Sequence, residues 1–215
     1  MVGTLYARVF AGLYDAVLAR GERSGLADLR RTLLAGAEGT VLEIGAGTGL
    51  NLPLYPADVG PLTLTEPDAA MRARLVRRLA AEPASRVRPA VLPVPAERLS
   101  VTSGSVDTVV STLVLCTVAD VPGTLAEVRR VLRPGGRLLL LEHVRASGTR
   151  LARRQDRLNG PWRAFAQGCH CDRDTVRALE DAGFDVSRLR PARWTGMPSV
   201  VTPLVVGAAT PLTLG

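Results

Sequence analysis

Near the start of the chain apolar side chains recur every three or four positions, at Val9, Leu13 and Val17 and again at Leu26, Leu29 and Leu33. That is a helical period, and the glycines between Gly21 and Gly25 split it into two helices. Further on the pattern changes to short apolar runs that end in turn residues, alternating with amphipathic stretches. "TVLEIGAGTG" predicts a buried strand running into a glycine turn and "PLTLTEP" a second strand. "AAMRARLVRRLAAE" is the helix that follows, with Asp68 placed to cap it. "RVRPAVLPVPAE" holds a short third strand, "SVDTVVSTLVLCTV" a fourth, "VPGTLAEVRRVL" a helix with proline near its start, and "RPGGRLLLLEHV" a turn and a fifth strand. Strands alternating with helices make a parallel, doubly wound sheet.

Past Ala146 the rhythm breaks. "SGTRLARRQDRLNGPWRAFAQGCHC" reads as mixed helix and loop. "DRDTVRALEDAG" is a helix capped by Asp172 or Asp174 and ended by Gly183, and "FDVSRLRPARW" and "SVVTPLVVGAA" are two closing strands. With no internal repeat and no low-complexity linker, 1–215 is expected to be a single domain. Its parts would be a helical N-terminal segment over 1–38, a ligand-binding core over 39–146, and a substrate-side insert with the last strands over 147–215.

The chain has 215 residues, 47% of them hydrophobic, enough for one globular core. Its formal charge is +7 and every basic residue is an arginine. The arginines are scattered over amphipathic helices, which points to a solvated surface and away from a nucleic-acid groove. Three cysteines do not make a disulfide framework, the N-terminus shows no signal-peptide core, and no apolar run reaches membrane-spanning length. A cytoplasmic protein without a transmembrane segment is expected.

The densest chemistry lies at Glu43-Ile-Gly45-Ala-Gly47-Thr-Gly49. Glycines at this spacing let the backbone turn tightly between strand and helix and approach a ligand closely. The third glycine comes one position earlier than in the dinucleotide fingerprint, which disfavours a nicotinamide cofactor. Glu43 suits a cationic amino group rather than a pyrophosphate. Glu66, at the end of the second strand, is placed to accept both hydroxyls of a ribose.

Taken with "LTEPD", "PAERLS", "SVDTVVSTLVLCTV" and "EVRRVLRPGGRLLLLEHV", the glycine segment resembles the class I S-adenosylmethionine (SAM) dependent methyltransferases. The resemblance implies a Rossmann-like α/β fold with a seven-stranded, mostly parallel sheet in the order 3-2-1-4-5-7-6. It implies SAM as cofactor and S-adenosylhomocysteine as product. Gly45, Gly47 and Gly49 would pass under the methionine part, with Glu43 near its amino group and Asn51 following the loop. Glu66 and Pro67 would lie at the ribose, Met71 beside the cofactor, Ala96 and Glu97 at the adenine edge, and Thr112 and Leu113 facing the sulfonium. Pro95 stands where many relatives carry an aspartate. The segments "LEIGAGTGLNLPLYP", "VLRPGGRLLLLEHV" and "GCHCDRDT" are similar to those of the thiol S-methyltransferase branch and its bacterial small-molecule relatives. Such a branch implies transfer of the methyl group to a small, apolar acceptor at a thiol sulfur; the alternatives are O-, N- or C-methylation of quinones, phenols or lipid amines and, in another class, a catalytically silent SAM-binding protein. The Asn/Asp-Pro-Pro-Tyr/Phe signature of base-methylating enzymes is absent after the fourth strand, so no nucleic-acid substrate is expected.

Methyl transfer to an acceptor sulfur needs alignment, exclusion of water and a raised thiolate fraction. His143, at the carboxyl end of the fifth strand, is the first candidate base and His170 the second. Tyr14, Trp162, Phe165, Cys169 and His170 are candidates for the acceptor wall. Zinc favours four ligands, usually from cysteines two to four residues apart with a second pair elsewhere. Cys169 and Cys171 are separated by one residue and Cys116 is the only other cysteine, so no metal site is expected.

Overall fold

The computed structural model describes residues 2–81 and 89–212, with side chains from residue 12 onward. α1 (Val2–Gly21) and α2 (Ala27–Leu34) are joined by one wide turn, Glu22–Leu26, in which Gly25 takes a φ of +116°. Glycine alone adopts that backbone without steric cost, so the predicted break falls where the chain can turn. The side chain of Val9 lies outside the described residues; Leu13 and Val17 are exposed, whereas Leu18, Leu26, Leu33 and Leu34 are buried.

The sheet consists of β1 (Val41–Ile44), β2 (Leu62–Thr65), β3 (Ala90–Leu92), β4 (Val106–Thr112), β5 (Leu132–His143), β6 (Phe184–Arg193) and β7 (Pro203–Pro211). Its order is β3-β2-β1-β4-β5-β7-β6. β1 to β5 pair in parallel, and β7 runs antiparallel to both β5 and β6. The expected Rossmann-like order is therefore observed. α3 (Ala69–Ala81), α4 (Val121–Val131), α5 (Thr149–Phe165) and α6 (Thr175–Asp181) complete the layers.

β1 and β4 are buried along their whole length, which explains why they read as unbroken apolar runs and not as alternating ones. Alternation shows instead in which core each residue enters. Val41 joins Leu18, Leu34 and Leu75, while Leu42 and Ile44 join Val109, Leu125 and Phe184 on the opposite face. Glu43 shares Val41's side of the strand and thus looks toward the N-terminal helices.

Two boundaries differ from the sequence pattern. The apolar run of β4 continues to Val118, but the strand stops at Thr112 because Leu113 turns left-handed, with φ +60°. The stretch after Ala146 reads as mixed helix and loop, yet α5 runs on through Pro161 to Phe165, with Leu158 and Trp162 packed on the core. Of the two acids before α6 it is Asp174 that caps, accepting from the Arg177 amide at 3.2 Å, and Gly183 follows the helix at φ +75°. Asp68 caps α3 as expected, accepting from the amides of Ala70 and Met71 at 2.9 and 2.8 Å.

Candidate active site

β1 ends in Gly45, Gly47 and Gly49, all with positive φ, of +58°, +58° and +84°. A Cβ on Gly45 would meet the Val114 methyls at 2.8 and 2.9 Å, and one on Gly49 would meet Leu75 and Leu52. A Cβ on Gly47 would meet nothing within 4 Å. Gly45 and Gly47 border a cavity of about 440 Å³ over the carboxyl ends of the strands, a volume typical of small-molecule sites. Gly49 packs on α3 instead. Gly45→Ala combines a left-handed φ with a clash, so a loss of about 1–3 kcal/mol is expected. Differential scanning calorimetry would read it as a fall in Tm of roughly 2–4 °C per kcal/mol.

Glu66 follows β2 and is nearly buried. Its Oε2 accepts from the Gly47 amide and its Oε1 from the Asp68 amide, each at 2.8 Å. Burial raises its pKa, and those two backbone bonds pull it partly back. The carboxylate thus ties the glycine turn to the start of α3 while bordering the cavity, together with Pro67 and Met71. Ala96 and Glu97 close the same end from beyond β3, and Leu113 lies across from them at the end of β4. Glu97 Oε1 accepts from the Ala119 amide at 2.9 Å, which fixes the loop after β4.

Glu43, Asn51 and Thr112 do not reach this cavity. They border a recess of about 20 Å³ behind the glycine turn, enough for one water. Asn51 Nδ2 donates to Glu43 Oε1 and to Thr112 Oγ1, both at 2.9 Å, and the Tyr55 hydroxyl donates to Glu43 Oε2 at 2.8 Å. Arg30, only 3% exposed, donates to Asn51 Oδ1 and Thr112 Oγ1 at 2.9 Å and pairs with Glu22 at 3.1 Å. Burial pushes the Glu43 pKa up; Tyr55, Asn51 and Arg30 oppose it. Charged side chains from α2, β1 and the turn between the first helices are thereby locked under the ligand loop.

Other residues form the opposite end. β5 carries His143 to the cavity, the loop after β4 carries Cys116, and α5 with the loop beyond it carries Trp162, Phe165 and Cys169. His143 Nε2 lies 2.7 Å from Cys169 Sγ, the Trp162 indole N–H donates to the same sulfur at 3.4 Å, and the Cys116 and Cys169 sulfurs are 3.7 Å apart. Within the sulfur pair the Cys169 pKa is driven down, by Cys116 first and then by His143, while that of Cys116 is driven up by its contact with Cys169 and by burial. Among the described residues His143 Nδ1 is buried and has no hydrogen-bond partner. Tyr14, from α1, borders the cavity too.

His170 and Cys171 are not brought in. The His170 amide donates to the Cys116 carbonyl at 2.8 Å, which pins the loop, while its ring lies 3.9 Å from Asp172. Its pKa is lowered by burial and by the neighbouring Arg173 and Arg163. Cys171 Sγ points toward the Gln155 carbonyl and Asn159, and its amide donates to Asn159 at 3.2 Å.

Three residues escaped the sequence reading. Arg30 stood four positions from both Leu26 and Leu34, on the apolar face of its helix, which was a usable signal. Glu142, fully buried at the end of β5, accepts on Oε1 from Ser111 Oγ and the Val114 and Leu115 amides at 2.7, 2.9 and 3.1 Å. Cys116 carried no local signal at all.

Comparison with known proteins agrees with this geometry. A family described as a methyltransferase domain matches residues 42–140. Human thiol S-methyltransferase TMT1A is 33% identical over 207 residues, covering 93% of this chain and 82% of that one. Mouse thiol S-methyltransferase TMT1B is 34% identical, covering 82% and 73%. A Thermotoga maritima SAM-dependent methyltransferase structure, titled as a possible histamine N-methyltransferase, superposes with a TM-score of 0.69 at 21% identity, over 95% of this chain and 97% of that chain. The chain belongs to the class I SAM-dependent methyltransferases, in the branch of the thiol S-methyltransferases. It is thus a methyltransferase with SAM as its cofactor, and the cavity fits that group: a glycine backbone with open space above it, a carboxylate beside it and an apolar floor. Among the described residues no helix is long and apolar enough to cross a membrane.

Proposed function

We propose that the protein methylates a small, largely apolar thiol at sulfur. The observation that carries this reading is a sulfur atom held 2.7 Å from His143 Nε2 inside the cavity, against the Trp162 indole. An imidazole placed to hold one sulfur is placed to take the proton of another. The names of the TMT1 relatives point the same way.

SAM supplies the methyl group from its sulfonium. In this reading Glu66 accepts the ribose hydroxyls, Pro67, Met71, Ala96 and Glu97 enclose the nucleoside, and Gly45 and Gly47 let the methionine part lie against bare backbone. Glu43, Asn51 and Thr112 support that backbone from behind, with Gly49 packing it onto α3. Glu66 and His143 stand on strands three positions apart in the sheet, about 14 Å at the usual interstrand spacing, so cofactor and acceptor ends are separated along one cavity. Leu113 stands between them. His143 receives the thiol proton, and Trp162, Phe165 and Tyr14 give the acceptor its apolar walls. His170 acts through the loop it anchors rather than on the acceptor. Water exclusion falls to 1–38, read as a lid: Asp15 accepts from Thr48 Oγ1 and pairs with Arg78, each at 2.6 Å, docking α1 on the glycine loop and on α3. Residues 39–146 bind the cofactor and 147–215 supply the acceptor side, in a soluble, cytoplasmic enzyme.

Trp162→Ala tests this division. Loss of a packed indole is expected to raise the acceptor KM by about tenfold, as for an aromatic contact worth about 1.5 kcal/mol. SAM affinity, measured by calorimetry on the same variant, should not change. A matched loss of both would contradict separate ends.

A further inference from the structure

We propose that Cys116, His143 and Cys169 form a binding site for a thiophilic divalent cation, zinc by preference, with its fourth coordination position open to the cavity. Cysteine spacing predicted no metal site, because it paired Cys169 with Cys171. Folding makes a different set. Cys171 is turned away, and one ligand arrives from each of three elements: the loop after β4, the end of β5 and the loop after α5. The two sulfurs and an imidazole nitrogen lie within 4.8 Å of one another.

The donor set is soft. Two thiolates balance the ion's charge and an imidazole completes a Cys₂His face, the set used where zinc keeps one position for water or substrate. The dimensions agree. Zinc–sulfur bonds of about 2.3 Å in a tetrahedron put two sulfurs about 3.8 Å apart, and Cys116 and Cys169 are 3.7 Å apart. His143 Nε2, now 2.7 Å from Cys169 Sγ, has to back off to about 3.6 Å when bonds to the ion replace the direct contact. Cys116 and His143 are buried, one in the turn after β4 and the other at the end of β5, so the site is largely preformed. All three border the cavity, which gives the ion a way in. Binding releases to solvent whatever thiol protons the two cysteines still carry.

The open position faces the space assigned to the acceptor, and a thiol sulfur is the ligand that suits it; this last step rests on the thiol reading above. A metal-held thiol would lose its proton to solvent, and His143 would then serve as ligand in place of base.

Phosphine-reduced, metal-stripped full-length protein should take up a single equivalent of zinc through dialysis. Cobalt should give the intense sulfur-to-cobalt charge-transfer absorption of thiolate ligation. Cys116→Ser and Cys169→Ser should each lose that absorption and the retained zinc while keeping SAM affinity. Should either variant not fold, alkylation of the unaltered protein decides: zinc should protect Cys116 and Cys169. Absence of retained metal, or retained metal that leaves these thiols as reactive as before, overturns the site. Thiol turnover by protein that binds no metal would overturn this inference alone. A metal-loaded protein that turns over no thiol, and whose cobalt bands do not move on adding thiophenol, would sink the acceptor reading and leave the cation site standing.

Discussion

Glu66→Ala is expected to weaken SAM binding by a factor of about a hundred to ten thousand. An ionised carboxylate that accepts two hydroxyls gives up two charge-assisted hydrogen bonds, each worth about 1.5–3 kcal/mol, and 1.4 kcal/mol corresponds to about a factor of ten. The alanine also frees the Gly47 and Asp68 amides that Glu66 now holds, which loosens the turn beneath the ligand. Glu66→Gln retains an acceptor and should lose less. The pH dependence has a defined sign. Burial raises the Glu66 pKa, so as pH falls through that raised value the carboxylate takes a proton, loses its charge and turns one of its two acceptor oxygens into a donor. Affinity should therefore level off above that raised value and fall below it, whereas in Glu66→Gln it should stay flat. Isothermal titration across the range measures both, and an unaltered affinity in Glu66→Ala would remove this residue from the ribose.

Glu142→Ala should be the most damaging single change to stability. One oxygen of this fully buried side chain satisfies the Ser111 hydroxyl and two backbone amides in the turn where β4 ends. Truncation leaves those donors without partners in a dry interior, at about 1–3 kcal/mol each. A net loss of about 3–5 kcal/mol corresponds to a Tm lower by roughly 10 °C in a domain of this size. Glu142→Gln, which can still accept, should recover much of it. Since the same turn presents Leu113 and Cys116 to the cavity, the alanine variant should also lose turnover below its melting temperature.

The parts legible in the sequence are those set by local rules. Period and punctuation placed the strands and the helix breaks, because a parallel sheet covered on both faces needs apolar runs and positive φ needs glycine. Gly45 and Gly47 were visible for the same reason. The rest depended on partners remote in the chain. β4 stops at Thr112 although the apolar residues continue, since Glu142, 28 residues away from Val114, draws the following amides into a turn. Cys169 meets a histidine 26 residues earlier and a cysteine 53 residues earlier, and no spacing rule joins those three. Cys171, its neighbour in sequence, faces α5. Arg30 hid in plain view: in a chain whose basic residues are all arginines, one more on a helix draws no notice, although its register placed it inward.

The acceptor is the central claim, and product identity tests it most directly. Purified protein would be incubated with methyl-labelled SAM and matched pairs of acceptors that differ only in the attacking atom, such as thiophenol and phenol. Both S-adenosylhomocysteine and the methylated product would be followed by mass spectrometry. The account predicts label in the thioether, stoichiometric with S-adenosylhomocysteine, and little or none in the ether. Label in the ether with the thiol left unmodified would contradict it.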